Sequence, residues 1–356
     1  MQNCIFIKDN GVGSITANRN ARNNWLTPKI CEEFITGLSA WIHDDEVELV
    51  LLDQFESNLG IFAGIDFRAL ALTNIRAANH INRTLKAMFE LYLFISSYPK
   101  PIVSLMDGVT RSSGVGIVTG THFRVATEKT IVYLPDTGLG FAPTAGTSRV
   151  LSGLPSQIGT WLAFTGSRIT GREAFDIGLA THYCASHELN VLRTELRTCG
   201  IAALDRCCAT LEPREHPKAR EIKELFSGDS AKEIKDRLLN GSDWAKSQAT
   251  RVVAKSPLSL KIALRQIRTA EFLDSLEGIA KLEYRIASRL ARTENFREGV
   301  RAALIEMDYC PNWRPGTFVT ATHDVVSEYF MPLDELELKL PKYNDHQKHL
   351  MQLEMA

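Results

Sequence analysis

Apolar and polar residues alternate from Cys4 to Thr16, and Asp9-Asn10-Gly11 interrupts the alternation with turn residues. This pattern predicts a β-hairpin. Thr27-Pro28 then predicts a helix start, with Thr at the cap and Pro at the first helical position, and Phe34, Leu38 and Trp41 follow at helical spacing. Within Glu48–Asp53, the unbroken run Leu49-Val50-Leu51-Leu52 is too apolar for a half-exposed strand and predicts a parallel strand buried on both faces. Pro101–Met106, Phe123–Ala126 and Thr130–Tyr133 continue as strands, and a long helical stretch from about Ile75 to Ser97 precedes them. Strands separated by helices imply right-handed crossovers. From about Leu151 onward the periodicity is helical, and almost no strand is predicted.

At 356 residues the chain exceeds the usual single core of about 250–300. It therefore predicts one large domain with a helical extension: a β/α core over 4–190, a helical region over 191–332, and a tail or partner-binding arm over 333–356. Lys+Arg 41 against Asp+Glu 42 gives a formal net charge of −1, which argues against an extensive basic face for nucleic acid. The apolar runs fall short of the ~20 residues of a membrane span, so no membrane partner is expected. Seven cysteines, at 4, 31, 184, 199, 207, 208 and 310, form no Cys-x-x-Cys or Cys/His cluster. Free thiols in a reducing compartment and no metal site are the expectation. The chain begins almost directly in a predicted strand, without the apolar core of a secretory signal or an Arg-rich transit segment.

Three stretches carry the chemistry. They are Asp107-Gly108-Val109-Thr110-Arg111-Ser112-Ser113-Gly114-Val115-Gly116, then Phe123-Arg124-Val125-Ala126-Thr127-Glu128, then Pro135-Asp136-Thr137-Gly138-Leu139-Gly140-Phe141-Ala142-Pro143-Thr144-Ala145-Gly146. In order and spacing they resemble the acyl-thioester site of the crotonase superfamily, and specifically its 3-hydroxyisobutyryl-CoA hydrolase branch. Phe62-Ala63-Gly64-Ile65-Asp66-Phe67 resembles the family's first oxyanion turn, while Lys255-Ser256-Pro257-Leu258-Ser259-Leu260-Lys261, Phe296-Arg297-Glu298-Gly299-Val300-Arg301-Ala302 and Trp313-Arg314-Pro315 favour the hydrolase branch over plain hydratases. The resemblance spans about residues 4–330. It implies an α/β fold, a crotonase-like spiral of ββα units with a C-terminal helical region, and no cofactor beyond the thioester substrate itself.

A thioester carbonyl needs two backbone N–H donors aimed at its developing oxyanion. By resemblance these belong to Ile65 in the first turn and to Ser113 and Gly114 in the second, with Asn24, Trp25, Ala63, Gly64 and Asp66 at the CoA-binding positions. The family carries glycines where this chain has Ile65, Ser112 and Ser113, and bulk at Ile65 is expected to crowd the pocket or strain the turn. Asp136 stands where the family has Glu, retracting the carboxylate on the order of 1.5 Å, and a misplacement of about 1 Å can cost roughly 100-fold in rate. Thr144 stands where the family has Asp, so a carboxylate is lost outright. A third acidic position aligns onto Ala87-Met88-Phe89. His122 and His182, in apolar surroundings, read as structural histidines.

Two functions from different classes follow. Legible fold segments around an eroded site imply a catalytically lapsed hydrolase homologue, with Asp136 and Thr144 vestigial. By resemblance that homologue serves as a structural component of the mitochondrial small ribosomal subunit, with mitochondrial ribosomal proteins and rRNA as partners. The alternative is an active acyl-CoA hydrolase or hydratase using Asp136, with a CoA thioester as its ligand.

Overall fold

In the computed structural model, which describes residues 3–18, 24–54, 60, 62–72 and 78–339, the hairpin forms where the turn residues place it. Strands β1 (Cys4–Asp9) and β2 (Gly11–Ala17) pair antiparallel, and Asn10 and Gly11 reverse the chain with φ of 45° and 77°. Helix α1 (Pro28–Trp41) starts at Thr27, whose hydroxyl accepts from the Ile30 amide at 3.4 Å, and it buries Ile30, Cys31, Phe34, Leu38 and Trp41. Strand β3 (Val47–Gln54) lies parallel to β2 and to β4 (Ile102–Met106). With β6 (Phe123–Ala126) and β9 (His182–Tyr183) they make a six-stranded sheet of order β1-β2-β3-β4-β6-β9.

The apolar run in β3 is explained by cover on both faces. Val50 and Leu52 enter the main core with Phe34 of α1 and Leu85 of α3 (Ala78–Ser96). Leu49 and Leu51 point the other way, joining Val103, Leu105 and Val125 beneath α8 (Leu189–Cys199) and α9 (Ala203–Cys207). Such double burial is what a parallel sheet requires.

A second, three-stranded sheet holds β5 (Val109–Arg111), β7 (Ile131–Tyr133) and β8 (Arg168–Thr170). Strands β8 and β9 correct the expectation of almost no strand after Leu151. Each is only two or three residues long, and β9 is defined by its pairing of His182 and Tyr183 with Val125 and Ala126, so neither leaves a readable alternation.

The C-terminal helices pack onto the core. Helix α13 (Pro257–Ala270) donates from Gln266 Nε2 to the Pro143 carbonyl at 2.7 Å, and the amide of its cap, Ser256, donates to the Thr137 carbonyl at 3.1 Å. Helices α14 (Leu276–Leu290) and α15 (Glu294–Val300) complete this side. The arm expected from residue 333 is docked at its start. Arg285 Nε holds Glu337 at 2.9 Å, and Leu338 is buried. Residues 340–356 of that arm, the start of the long helical stretch at 73–77, and Arg19 to Asn23 lie outside the described residues.

Candidate active site

The strand-to-helix turn after β3 and the one after β5 meet back to back. At Gly64 the chain takes φ of 80°, and a Cβ there would lie 2.8 Å from the Arg111 carbonyl; at Gly114 a Cβ would lie 2.2 Å from the Phe62 carbonyl. Only glycine allows this approach. Ile65 does not strain the first turn, contrary to expectation. Its backbone bridges in parallel to Leu26, and its side chain, 2% exposed, is part of the main core. Strain sits instead at Ser112, with φ of 51° and ψ of −134°, a conformation that costs a residue with a side chain on the order of 1–3 kcal/mol.

Both substituted serines are engaged. The Ile65 amide donates to Ser113 Oγ at 3.0 Å, so the first oxyanion donor already points at an oxygen at the distance an oxyanion would take. Ser113 and Gly114 open α4 (Ser113–Thr119), at the helix end where backbone N–H groups have no intrahelical acceptor. Ser112 Oγ donates to Asp136 Oδ1 at 2.5 Å.

Asp136 begins a 3₁₀ turn, Asp136–Leu139, and is 1% exposed. Its Oδ2 has no hydrogen-bond partner among the described residues. Burial pushes its carboxyl up to about 6, against the pull of the Ser112 hydroxyl and the nearby Arg111. A carboxyl raised in the fold stabilises the protein below its unfolded pKa, and that contribution is lost as pH rises through the folded value. We expect Asp136→Asn to remove on the order of 3 kcal/mol from the loss of stability between about pH 4 and pH 8. Urea midpoints of both proteins across this range provide the check; parallel curves would contradict the buried carboxyl.

Thr144 is fully buried and its Oγ1 has no partner among the described residues, while its carbonyl accepts from Thr147 Oγ1 at 2.6 Å. The loop it begins runs into α5 (Thr147–Gly153) and is held from behind by a residue the sequence reading missed. Glu283 of α14, fully buried, accepts from the Gly146 amide at 2.6 Å, the Ser148 amide at 2.8 Å and Ser148 Oγ at 2.5 Å. Burial pushes Glu283 up to about 7; the Ser148 hydroxyl and the two amides oppose the rise, and the charge of Asp136 adds to it. The signal available was an acidic residue on the apolar stripe Ile279, Leu282, Ile286, Leu290.

The CoA-position residues mostly serve the scaffold. Asn24 is buried with φ of 49° and donates from Nδ2 to the Gly60 carbonyl at 3.3 Å. Asp66 Oδ1 accepts from the Ala69 amide at 2.9 Å at the start of α2 (Phe67–Leu72), and the Ala63 carbonyl accepts from Arg111 Nε at 3.1 Å. Trp25 is half-buried, with a buried Nε1 lacking a partner among the described residues. Ala87, Met88 and Phe89 are core residues. His122 Nδ1 accepts from the Ile102 amide at 3.2 Å and His182 Nδ1 meets Thr181 Oγ1 at 2.8 Å. Among the described residues no group of three or more His, Cys, Asp or Glu is placed to hold a metal.

Two abutting glycine turns beside a buried acid, on a mostly parallel sheet backed by helices, fit a fold of the crotonase type. Residues 12–330 match the enoyl-CoA hydratase/isomerase family, and the chain belongs to it. It is 33% identical over 351 residues to the mitochondrial 3-hydroxyisobutyryl-CoA hydrolase of Danio rerio, covering 94% of this chain and 91% of that one. The human protein of the same name is 30% identical, with 94% and 90% covered. Among solved structures, a carnitinyl-CoA dehydratase from Mycobacterium thermoresistibile superposes with a TM-score of 0.89 at 31% identity, covering 95% of this chain and 99% of that one.

Proposed function

We propose that this chain is a mitochondrial acyl-CoA thioester hydrolase in which Asp136 is the general base. The observation that carries this reading is Asp136 itself: buried, one oxygen fixed by Ser112, the other without a partner among the described residues, beside turns whose amides would serve as oxyanion donors. A carboxyl moved up to about 6 is ionised at neutral pH yet basic enough to take a proton from water. The Ile65 amide and the amides heading α4 would take the charge that develops on the thioester oxygen. The relatives support thioester chemistry and a mitochondrial setting. They give no support to the ribosomal scaffold expected from the sequence.

The second reading, a non-catalytic homologue, is favoured by one contact: Ser113 Oγ on the Ile65 amide. The assay that separates the two is loss of thioester absorbance from 3-hydroxyisobutyryl-CoA and a short panel of acyl-CoAs. Turnover that disappears in Asp136→Asn supports the hydrolase; background rates throughout favour the second reading. Ser113→Gly refines the test by releasing the Ile65 N–H. Breaking a hydrogen bond worth about 0.5–1.5 kcal/mol is expected to raise kcat/KM roughly 2- to 10-fold. A fall instead would mean that the hydroxyl assists the reaction.

A further inference from the structure

Position 144 lacks a carboxylate, yet a second buried carboxyl reaches the same loop from the opposite end of the chain. We propose that Glu283 is a positioning residue for Asp136, anchoring from α14 the Thr144–Ser148 loop, in which position 144 has lost its carboxylate. The proposal rests on the reading of Asp136 as the general base.

The geometry is specific. Both Glu283 oxygens are used: Oε2 on the Gly146 amide, Oε1 on the amide and hydroxyl of Ser148. A carboxylate satisfies three donors at once, whereas Gln would turn an NH₂ group against a backbone N–H. The loop is thus fixed by acceptor chemistry that only an acid supplies. Gly146 packs on the Tyr92 ring of α3, where a Cβ would lie 2.1 Å from the ring, so α3, α5 and α14 converge on this loop.

The charged and titratable neighbours are few. Tyr92 on α3 feels the Glu283 charge and that of Arg149 on α5; Arg111 stands on the Asp136 side; and the Asp136 charge acts on Glu283. Two carboxyls in one dry region ionise in two linked steps that belong to the pair. The charge of Asp136 makes Glu283 harder to ionise. A proton taken up by Asp136 during turnover therefore favours the ionised form of Glu283 that accepts all three loop donors.

The test is carboxyl ¹³C NMR on the full-length chain labelled at Asp and Glu, titrated from pH 4.5 to 8.5. The wild type should show two linked transitions. Asp136→Asn should lower the Glu283 transition by about half a unit or more, and Ser148→Ala, which removes one donor to the charged form, should raise it. Glu283→Gln should delete the upper transition and reduce kcat for the thioester about 10- to 100-fold with little change in KM. An unchanged Glu283 transition in Asp136→Asn overturns the proposal, as does wild-type kcat with an unshifted pH profile in Glu283→Gln. Should Glu283→Gln not fold, the other two variants decide it. A wild type without turnover but with linked transitions would sink the hydrolase reading and leave the carboxyl pair standing.

Discussion

Asp136→Asn is expected to cost about 10²–10⁴-fold in kcat for thioester hydrolysis, the usual worth of a positioned acid–base group. The variant keeps the acceptor for Ser112 Oγ, so the 2.5 Å contact and the 3₁₀ turn have no reason to rearrange. Only the proton chemistry is lost. Because Asp136 must be ionised to act as a base, kcat/KM in the unmodified protein should rise tenfold per pH unit below about 6 and level off above it. The opposite limb, activity falling as pH rises through 6, would recast Asp136 as a general acid and favour hydration chemistry. In Asp136→Asn the residual rate should lose this limb. A variant as fast as the wild type would remove Asp136 from the reaction altogether.

The fold was legible in the sequence wherever a local pattern met the right length. The Asp9-Asn10-Gly11 turn, the Thr27-Pro28 start and the Leu49–Leu52 run each specify one local geometry, and each is found. Strands β8 and β9 were not legible, because two or three residues acquire strand character only from a distant partner. The site divides in the same way. Motif spacing pointed to the Ile65 turn, the Ser112–Ser113 turn and Asp136, and hydrogen bonds join these three in the structure. What the two serines do depends on rotamers: Ser112 turns to Asp136, and Ser113 turns to the Ile65 amide. Substitution of glycine therefore reads as damage in the sequence and as a hydrogen-bonded arrangement in the structure. Glu283 escaped notice because it lies 139 positions after Thr144, and nothing local ties α14 to that loop.

The largest stability effect is expected at Phe296. Its ring lies 5.1 Å from Phe141 and 5.8 Å from Phe67, which are themselves 5.1 Å apart, and it is fully buried. Three edge-on or tilted rings from three parts of the chain leave little scope for collapse, so Phe296→Ala should cost about 3–5 kcal/mol. A urea midpoint shift at unchanged slope would show it. The loss should also reach the chemistry. Phe67 follows the oxyanion turn by one residue, and the Phe141 amide donates to the Asp136 carbonyl at 2.9 Å, so loosening this cluster frees both catalytic turns. Under conditions where the variant is still folded, kcat should fall more than KM rises, because misplacement of about 1 Å at Asp136 is enough for roughly 100-fold. Phe296→Leu, which keeps most of the volume, should recover the greater part of both losses. A destabilised Phe296→Ala with wild-type kcat would show that α15 supports the core without setting the geometry of Asp136.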